Sequence, residues 1–424
     1  MTTSTHPPHQ PDLLDFGTES AEATSFTPTR AAGLAKLKVF VPKAGSQYQR
    51  SRNYDFGPDR RTNVSCLSPY IRHRLISEVD VLGEVLDRHT PNAAEKFIQE
   101  VFWRTYFKGW LEHRPGIWKD YQHGVSASLS VLSKDGRLRK TYDDAVSGRT
   151  GIDGFDAWAV ELVETGYLHN HARMWFASIW IFTLQLPWHL GADFFLRHLI
   201  DGDPASNTLG WRWVAGLHTK GKVYQARASN IEKYTDGRFD PRGQLEDHCL
   251  PLYDEADETL RPPRDAAGAL PSEDYLLIVT EDDGSLELAF PLEPAAALGL
   301  VATEDRSVLP VGRLAKAFAH GAVTDALHRG SGSQSAPIVE GADWADAIIS
   351  ACESAGVRHA VTAFLPAGPA ADRMASAHNA IKNAGITIHQ MRRRYDTLAW
   401  PHTTKSFFGL KKKIDSLLPR VLDR

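Results

Sequence analysis

The chain has 424 residues, of which 42% are hydrophobic and 24% are charged. This length predicts two or three domains, and the composition excludes a wholly disordered chain. Lys and Arg number 48 against 52 Asp and Glu, a net charge of −4, so no general polybasic character indicates a nucleic-acid partner. No run of 18 apolar residues occurs, so no membrane span is expected.

Tryptophan and cysteine are the informative residue types. The chain has 11 Trp, and most of them lie between Trp103 and Trp213. Composition alone leaves open whether this cluster serves packing or chemistry. The 3 cysteines, Cys66, Cys249 and Cys352, form no CxxC pair, which argues against a disulfide framework and a four-thiolate metal site. Reduced thiols and a cytoplasmic location are the simpler interpretation.

The first part of the chain predicts helices after a short tail. Residues 1–27 are rich in Ser, Thr, Pro and acids, which indicates disorder. Residues 28–253 show helical periodicity without convincing strand alternation, so we predict an all-α domain there. Its helices are expected from Thr29 onward, from Ser68-Pro69 with Ser68 as N-cap, and over 93–111, 154–165, 169–186, 193–201 and 207–218, with a break at Gly166.

The sequence changes character after residue 253. Residues 254–272 are acidic and rich in Pro and Ala, which is typical of a linker. Residues 273–424 alternate apolar runs with helical patterns and predict a small parallel, Rossmann-like α/β domain. It contains neither GxGxxG nor GxxxxGK[ST], so no phosphate loop identifies a ligand. The expected strands are 275–280, 359–365 and 386–391, and the expected helices lie near 312–328, 343–355 and 368–383.

Two segments of the helical domain carry groups that a plain core does not need. Ser65 and Ser68 lie beside a helix start, where backbone N–H groups favour an anion, although Ser-Pro is also an ordinary cap. Glu100 and Arg104 are four residues apart and share a helix face above Trp103. They form either a surface ion pair over an aromatic core stripe, or an Arg for phosphate beside a Glu that hydrogen-bonds a base-like ring.

A third segment combines ionisable groups around two turns. A helix carrying Arg173 can bring it to Asp201 in a partly buried charge pair, an arrangement that often marks a functional pocket. The alternative for residues 201–203 is a capped turn. His169 and His171 lack a third ligand at suitable spacing, so no metal site is predicted.

Six segments, in this order, resemble the FAD-binding domain of the photolyase/cryptochrome family over about residues 28–250. They are SQYQRSRN (46–53), SCLSPYIRHRLIS (65–77), FIQEVFWRTYF (97–107), RTG (149–151), TGYLHNHARM (165–174) and LIDGDPASNTLGWRW (199–213).

The resemblance implies a helical domain that holds a folded FAD. Its departures from the usual pattern are Val64, Cys66 and Phe97, which weaken but do not abolish the expected cofactor contacts. Asn207 matches the position that faces the flavin N5 atom. By motif position the cofactor-binding residues are Tyr48, Val64, Ser65, Cys66, Leu67, Ser68, Phe97, Arg104, Asn170, Arg173, Asp201, Asp203 and Asn207.

The resemblance also implies a pocket for a flipped-out cyclobutane pyrimidine dimer in DNA. Family members that repair six–four lesions carry a His pair where this chain has His169 and Asn170, which favours cyclobutane dimers. A preference for single-stranded DNA is left open. The pocket residues by position are Glu100, Trp103, Asn170, Met174 and Trp213, with Arg52, Lys220 and Lys222 as basic residues at the rim.

The implied reaction is light-driven electron transfer from reduced FAD to the pyrimidine dimer, with a tryptophan relay that photoreduces the flavin. Trp211 and Trp188 match the first two relay members. The third has no counterpart, because residues 125–150 contain no Trp. Tyr142 and Trp180 are the candidates for the third relay member, and the sequence gives no evidence for either.

Two questions stay open at this level. The chain is either a repair lyase or a cryptochrome-like photoreceptor without repair, and a flavoprotein without light function is the third option. Family members usually place an α/β antenna domain before the flavin domain, whereas here an α/β domain follows. It is either a relocated antenna-like domain, with an undetermined second chromophore, or an unrelated module. Oligomeric state is undetermined.

Overall fold

The structure is a computed structural model that describes residues 26–331, 336–341 and 343–423. Residues 1–25 of the predicted disordered tail lie outside these ranges. The first part of the described chain is helical, as predicted. Its helices are α1 (Arg30–Phe40), α2 (Ser46–Ser51), α3 (Ser68–Arg72), α4 (Glu78–Arg88), α5 (Glu95–Glu112), α6 (Gly116–Leu132), α7 (Gly136–Val146), α8 (Phe155–Thr165), α9 (Asn170–Ser178), α10 (Trp188–His198), α11 (Pro204–Val214) and α12 (Ala228–Tyr234).

Local sequence explains several helix ends. The hydroxyl of Thr29 accepts from the N–H of Ala32 and caps α1. Gly166 adopts φ 65° and ends α8, which confirms the predicted break. The expectation that Ser68 caps a helix is wrong: Ser68 is the first residue of α3, and the cap position is Leu67, without a side-chain hydrogen bond.

The second part of the described chain is an α/β unit. In chain order it comprises β1 (Tyr275–Thr280), β2 (Ala296–Val301), α13 (Arg313–Ser331), β3 (Ile338–Glu340), α14 (Trp344–Ala355), β4 (His359–Ala363), α15 (Pro369–Asn383), β5 (Thr387–Met391), α16 (Arg394–Ala399), α17 (Phe407–Lys411) and α18 (Ile414–Val421).

The five strands form one parallel sheet of order β3-β2-β1-β4-β5. This is the strand order of doubly wound α/β folds, so the predicted fold class is confirmed. The expected strands are β1, β4 and β5, whereas β2 and β3 were not predicted. One face of the sheet packs on α13 and the other on α14 and α15. The predicted boundaries of the tail, domains and linker stay predictions.

The helical part and the α/β unit share a continuous apolar core. Phe318 of α13 and Tyr395, Phe407 and Leu410 of the C-terminal helices belong to the same buried cluster as the helical domain. At the N-terminal end of α1, the backbone N–H of Arg30 donates to Asp325 of α13 at 3.0 Å. The two units therefore pack as one body.

Buried charged groups at the carboxyl end of β1 also contribute to the contact between the helical part and the α/β unit. Arg72 donates to Asp282 at 2.5 Å, and the backbone oxygen of Glu281 lies 2.6 Å from Nδ1 of His73. We call the surrounding groups the interdomain charge cluster. Its acids are Glu78, Asp203, Glu281, Asp282, Asp283 and Asp396, and its bases are Arg72, Arg74, Arg104, Lys108, Arg306 and Arg393.

Candidate functional site

Helix α5 supplies one wall of the candidate site. Its apolar residues on one side are buried in the core, including Phe97, which is 4% exposed. Glu100, Trp103 and Arg104 are only half-buried. Because positions three and four residues apart lie on one side of a helix, these three side chains share the side of α5 that is only partly buried. Trp103 on this side also packs against the core.

The carboxylate of Glu100 is held by two donors. The hydroxyl of Tyr48 and the guanidinium of Arg52 both donate to it. Burial raises the pKa of Glu100, while Arg52 and Tyr48 oppose that shift. Burial and the neighbouring Glu100 raise the pKa of Tyr48. The alternative of a surface ion pair between Glu100 and Arg104 is wrong, because each has a different partner.

Arg104 points instead to the start of α11. Its guanidinium donates to Asp203 at 3.0 Å and to the backbone oxygen of Arg72 at 3.3 Å. Asp203 also caps α11 by accepting from the N–H of Ser206 at 2.8 Å. Burial alone would raise the pKa of Asp203, but Arg104, Lys108 and Arg72 hold it below its usual range. An ion pair between Arg104 and Asp203 thus joins the motif residues of α5 to the start of α11.

The predicted pair of Arg173 and Asp201 is confirmed. Arg173 donates to Asp201 at 2.8 Å and to the backbone oxygen of Leu168 at 3.0 Å. Burial disfavours the charge of Arg173, yet Asp201 outweighs it and raises the pKa of the guanidinium. The pair leaves 24% of the Arg173 side chain exposed but only 5% of Asp201. This geometry suits a charge pair at the wall of a pocket.

Burial differs among three residues of the predicted site, Asn207, Asn170 and Met174. The amide of Asn207 is buried and donates to the backbone oxygen of Ala192 at 2.8 Å. Asn170 is exposed at the first turn of α9, and its amide nitrogen lies 4.0 Å from the sulfur of Met174. Asn207 therefore has a fixed orientation, while Asn170 and Met174 share one side of α9.

The segment before α3 contains a backbone feature that sequence reasoning missed. Cys66 has φ 50°, in the left-handed region that residues with a side chain rarely adopt. The N–H of Leu67 donates to the hydroxyl of Ser65 at 3.3 Å. Burial raises the pKa of the Cys66 thiol. Ser65 and Val64 are half-buried beside this turn, whereas Leu67 is fully buried.

The two tryptophans of the predicted lesion pocket each have an aromatic partner. Trp103 stacks on Phe407 of α17, with ring centroids 3.7 Å apart and an interplanar angle of 11°. Trp213 stacks on Tyr224 at 5.5 Å. Neither partner was expected. Phe407 lies in a different domain, and Tyr224 follows a turn that the helical pattern does not specify.

Ring contacts of the remaining tryptophans fall into two groups. Trp211 lies edge-on to Trp180 at 6.2 Å, and Trp180 lies edge-on to Tyr142 at 6.0 Å. The ring of Trp188 instead contacts His189 and Tyr121. Trp180 is thus the tryptophan in ring contact with Trp211; Trp188 has no ring contact with Trp211 among the described pairs, and its relay role stays a prediction. Both relay tryptophans, Trp211 and Trp188, are buried in the core of the helical domain together with Trp110, Trp118, Trp158, Trp175 and Trp180.

The candidate site also includes basic residues at its rim and buried polar atoms without hydrogen-bond partners. Lys220 and Lys222 are exposed in the loop after α11, and Nζ of Lys220 lies 3.7 Å from Glu258. Oδ1 of Asp201 and Nε of Arg104 are buried without a hydrogen-bond partner within the described residues. Nε of Arg104 lies 3.7 Å from Oε1 of Glu78, within the interdomain charge cluster. Because buried polar atoms are normally paired, Oδ1 of Asp201 is available to a bound molecule. An unsatisfied acceptor beside the Arg173 guanidinium fits a flavin ring.

Comparisons with known proteins find a family match that covers part of this chain. Residues 97–271 match the family described as the FAD binding domain of DNA photolyase. The deoxyribodipyrimidine photo-lyase of Alkalihalophilus pseudofirmus is 30% identical over 214 residues, 50% of this chain and 42% of the relative. The Escherichia coli protein of that name is 29% identical over 245 residues, 56% of this chain and 49% of the relative. The chain thus spans about half the length of these curated relatives.

A solved bacterial class III photolyase from Agrobacterium tumefaciens is similar at 28% identity, with a TM-score of 0.41, over 49% of this chain and 43% of that chain. The family match assigns residues 97–271 to a FAD-binding domain of the DNA photolyase type. The chain carries the FAD-binding domain of the DNA photolyase family, and FAD is its cofactor. Among the described helices, none has the length and apolar character needed to cross a bilayer.

Proposed function

We propose that this protein repairs cyclobutane pyrimidine dimers in DNA by light-driven electron transfer from reduced FAD. One observation carries the proposal: Tyr48 and Arg52 hold the Glu100 carboxylate beside the half-buried indole of Trp103. This places a fixed hydrogen-bond acceptor next to a flat apolar surface, the two features that recognition of a flipped-out base requires.

Each pocket residue has a role in holding the lesion. Trp103 and Trp213 provide stacking surfaces for the pyrimidines, and Met174 supplies a further apolar contact. Glu100 accepts a hydrogen bond from a pyrimidine N–H, and its two donors keep the carboxylate from turning away. Asn170, exposed at the start of α9, contributes a further polar contact.

On the cofactor side, Arg104, Arg173, Asp201, Asp203 and Asn207 are the residues that hold the flavin nucleotide. When bound, FAD supplies the light absorption and the electron. The Arg173–Asp201 pair is neutral as a unit and keeps a cation at the pocket wall, which stabilises negative charge that develops nearby. The donation from Asn207 to Ala192 fixes which way its amide oxygen points.

The DNA partner is contacted outside the pocket. Arg52, Lys220 and Lys222 provide positive charge at the rim for phosphates. A local rim of this kind is compatible with the net charge of −4. A cytoplasmic location belongs to this proposal as well, while the choice between single- and double-stranded DNA is left open.

The test is a repair assay with purified protein in its FAD-bound, chemically reduced form. An oligonucleotide with one cyclobutane thymine dimer is illuminated in the flavin absorption band, and restored thymines are quantified by chromatography. We expect repair in light and none in darkness. An oligonucleotide with a six–four lesion is the matched substrate control. Persistence of the cyclobutane dimer under a demonstrably reduced flavin would refute the proposal.

A second candidate is a photoreceptor that signals without repair. It is favoured by the direct stack of Trp103 on Phe407, which joins the site to the C-terminal helices. This function predicts a light-dependent change in protease sensitivity or oligomeric state in the Glu100→Ala variant. Identical light and dark behaviour, together with repair activity in the parent, excludes it.

A further inference from the structure

The ring of Phe407 covers one face of Trp103. The two rings are nearly parallel, at 11°, with centroids 3.7 Å apart. Phe407 is 3% exposed, so it is itself held in the core. A stacked neighbour this close prevents the indole from rotating about its side-chain bonds without opening the contact.

The segment that carries Phe407 is attached to α5 at several points. The hydroxyl of Tyr106 donates to the backbone oxygen of Lys405 at 2.9 Å. Just beyond the end of α5, Arg114 donates to the backbone oxygen of Thr404 at 2.8 Å. At the other end, Lys411 pairs with Glu95 at 3.3 Å. These contacts lie on both sides of Phe407 along the chain, so its ring position relative to α5 is fixed.

Trp103 lies between two environments on α5. On one side it contacts Phe407 and lies edge-on to Tyr106 at 5.6 Å. One turn earlier on the same side of α5 is Glu100, whose carboxylate Tyr48 and Arg52 hold. The plane of the indole is therefore determined by the C-terminal segment, while the indole itself remains half-buried at the pocket.

We propose that Phe407 is a positioning residue, which fixes the plane of Trp103 so that a flipped-out pyrimidine stacks on it. This inference rests on the proposed repair function. It means that a segment from the far end of the chain supplies part of the lesion-binding wall of the helical domain, although the family match ends at residue 271.

The experiment measures binding in the dark, by fluorescence anisotropy, with FAD-bound protein. The probes are a labelled oligonucleotide with one cyclobutane thymine dimer and its undamaged counterpart. Phe407→Leu keeps the core filled but removes the flat face, and Phe407→Tyr retains the ring. Phe408→Ala is the matched control, since Phe408 is the next residue and is 66% exposed.

We expect Phe407→Leu to weaken binding of the damaged probe about 3- to 10-fold, a typical aromatic-pair contribution, without changing undamaged binding or FAD content. Phe407→Tyr should restore selectivity, and Phe408→Ala should match the parent. If the parent is selective and Phe407→Leu is equally selective, the positioning role is wrong while the repair proposal survives. If the parent shows no selectivity, the proposed function fails and this inference fails with it.

Discussion

The guanidinium of Arg74 donates two hydrogen bonds, of 2.8 and 2.7 Å, to the carboxylate of Asp396, a residue near the other end of the chain. Both side chains are 4% exposed. Burial disfavours the charge on Arg74, but Asp396 and Glu78 outweigh it and raise the pKa of the guanidinium. This pair connects the helical domain to the C-terminal helices inside the interdomain charge cluster.

Arg74→Ala should therefore destabilise the protein strongly. It leaves the buried carboxylate of Asp396 without its main partner, and breaking such a pair costs about 3–5 kcal/mol. The measurement is the free energy of unfolding in urea. Arg394→Ala is the control, because that exposed arginine pairs with the exposed Asp423, and its loss should cost no more than about 1 kcal/mol. Equal effects of the two changes would contradict the structural role of the cluster.

Glu100→Gln should weaken recognition of the lesion. The change keeps the shape but removes the charge that Tyr48 and Arg52 hold in place. A hydrogen bond to a charged group contributes about 1.5–3 kcal/mol, so affinity for the damaged oligonucleotide should fall at least about 10-fold. Anisotropy titration in the dark measures it. Gln99→Ala, one residue earlier on α5, should retain parental affinity, and parental affinity in Glu100→Gln would remove Glu100 from the pocket.

Trp180 should matter more than Trp188 for photoreduction of the flavin. Trp211 contacts the ring of Trp180 at 6.2 Å, whereas the ring contacts of Trp188 lead to Tyr121 and His189. We expect Trp211→Phe to slow photoreduction about 10-fold or more and Trp180→Phe to slow it more than Trp188→Phe. Flavin absorbance under constant illumination with external reductant reports the rate.

The control for that series is Trp158→Phe. Trp158 stacks on Trp175 and lies edge-on to Phe239, and it has no ring contact with Trp211 among the described pairs. It should photoreduce like the parent. If Trp188→Phe is slower than Trp180→Phe, the relay follows the route expected from the sequence resemblance instead.

Acid should destabilise the fold between about pH 6.5 and pH 4. Burial lowers the pKa of several histidines below the ordinary 6.5, to about 3 for His198 and to about 4 for His169, His171, His189 and His218. In this window the unfolded chain binds protons that the folded chain does not, so stability falls as pH falls. Glu161 and Glu281, whose pKa values burial raises to about 7, act in the opposite direction but are fewer.

His198→Gln should flatten this dependence. Each buried neutral histidine contributes up to about 1.4 kcal/mol per pH unit in the window, and the variant removes one such group. Unfolding free energies at pH 7.5, 6 and 5 give the slope. His123→Gln is the control, because His123 is exposed. An unchanged slope in His198→Gln would mean that this histidine is protonated in the folded protein.

The sequence predicted contacts that depend on short spacing. Arg173 and Asp201 belong to two motif segments that follow one another in the sequence. Arg173 lies in α9 and Asp201 follows α10, and the two side chains meet in an ion pair. The apolar runs of β1, β4 and β5 were recognisable, because a buried parallel strand needs continuous hydrophobic residues. β2 was missed because Ala296–Val301 contains small residues and Gly299, and β3 because it has only three residues.

The contacts that escaped prediction join distant parts of the chain. Nothing in the residues around Arg72 or Arg74 specifies that their acids lie beyond β1 and in α16. The partner of Glu100 was misjudged for the same reason: Arg104 is nearer in sequence, but α2 brings Arg52 nearer in space. Local pattern determines which face of α5 is polar, whereas tertiary packing decides what each polar group meets.

The segment between the two units has a practical consequence for handling this protein. Leu250, Tyr253 and Leu260 are exposed to 77%, 86% and 55%, so a protease can reach this stretch. The shared core and the interdomain charge cluster lie elsewhere and do not depend on an unbroken peptide there. A chain cut at this stretch should therefore elute as a single particle, and its two fragments should separate only under denaturing conditions.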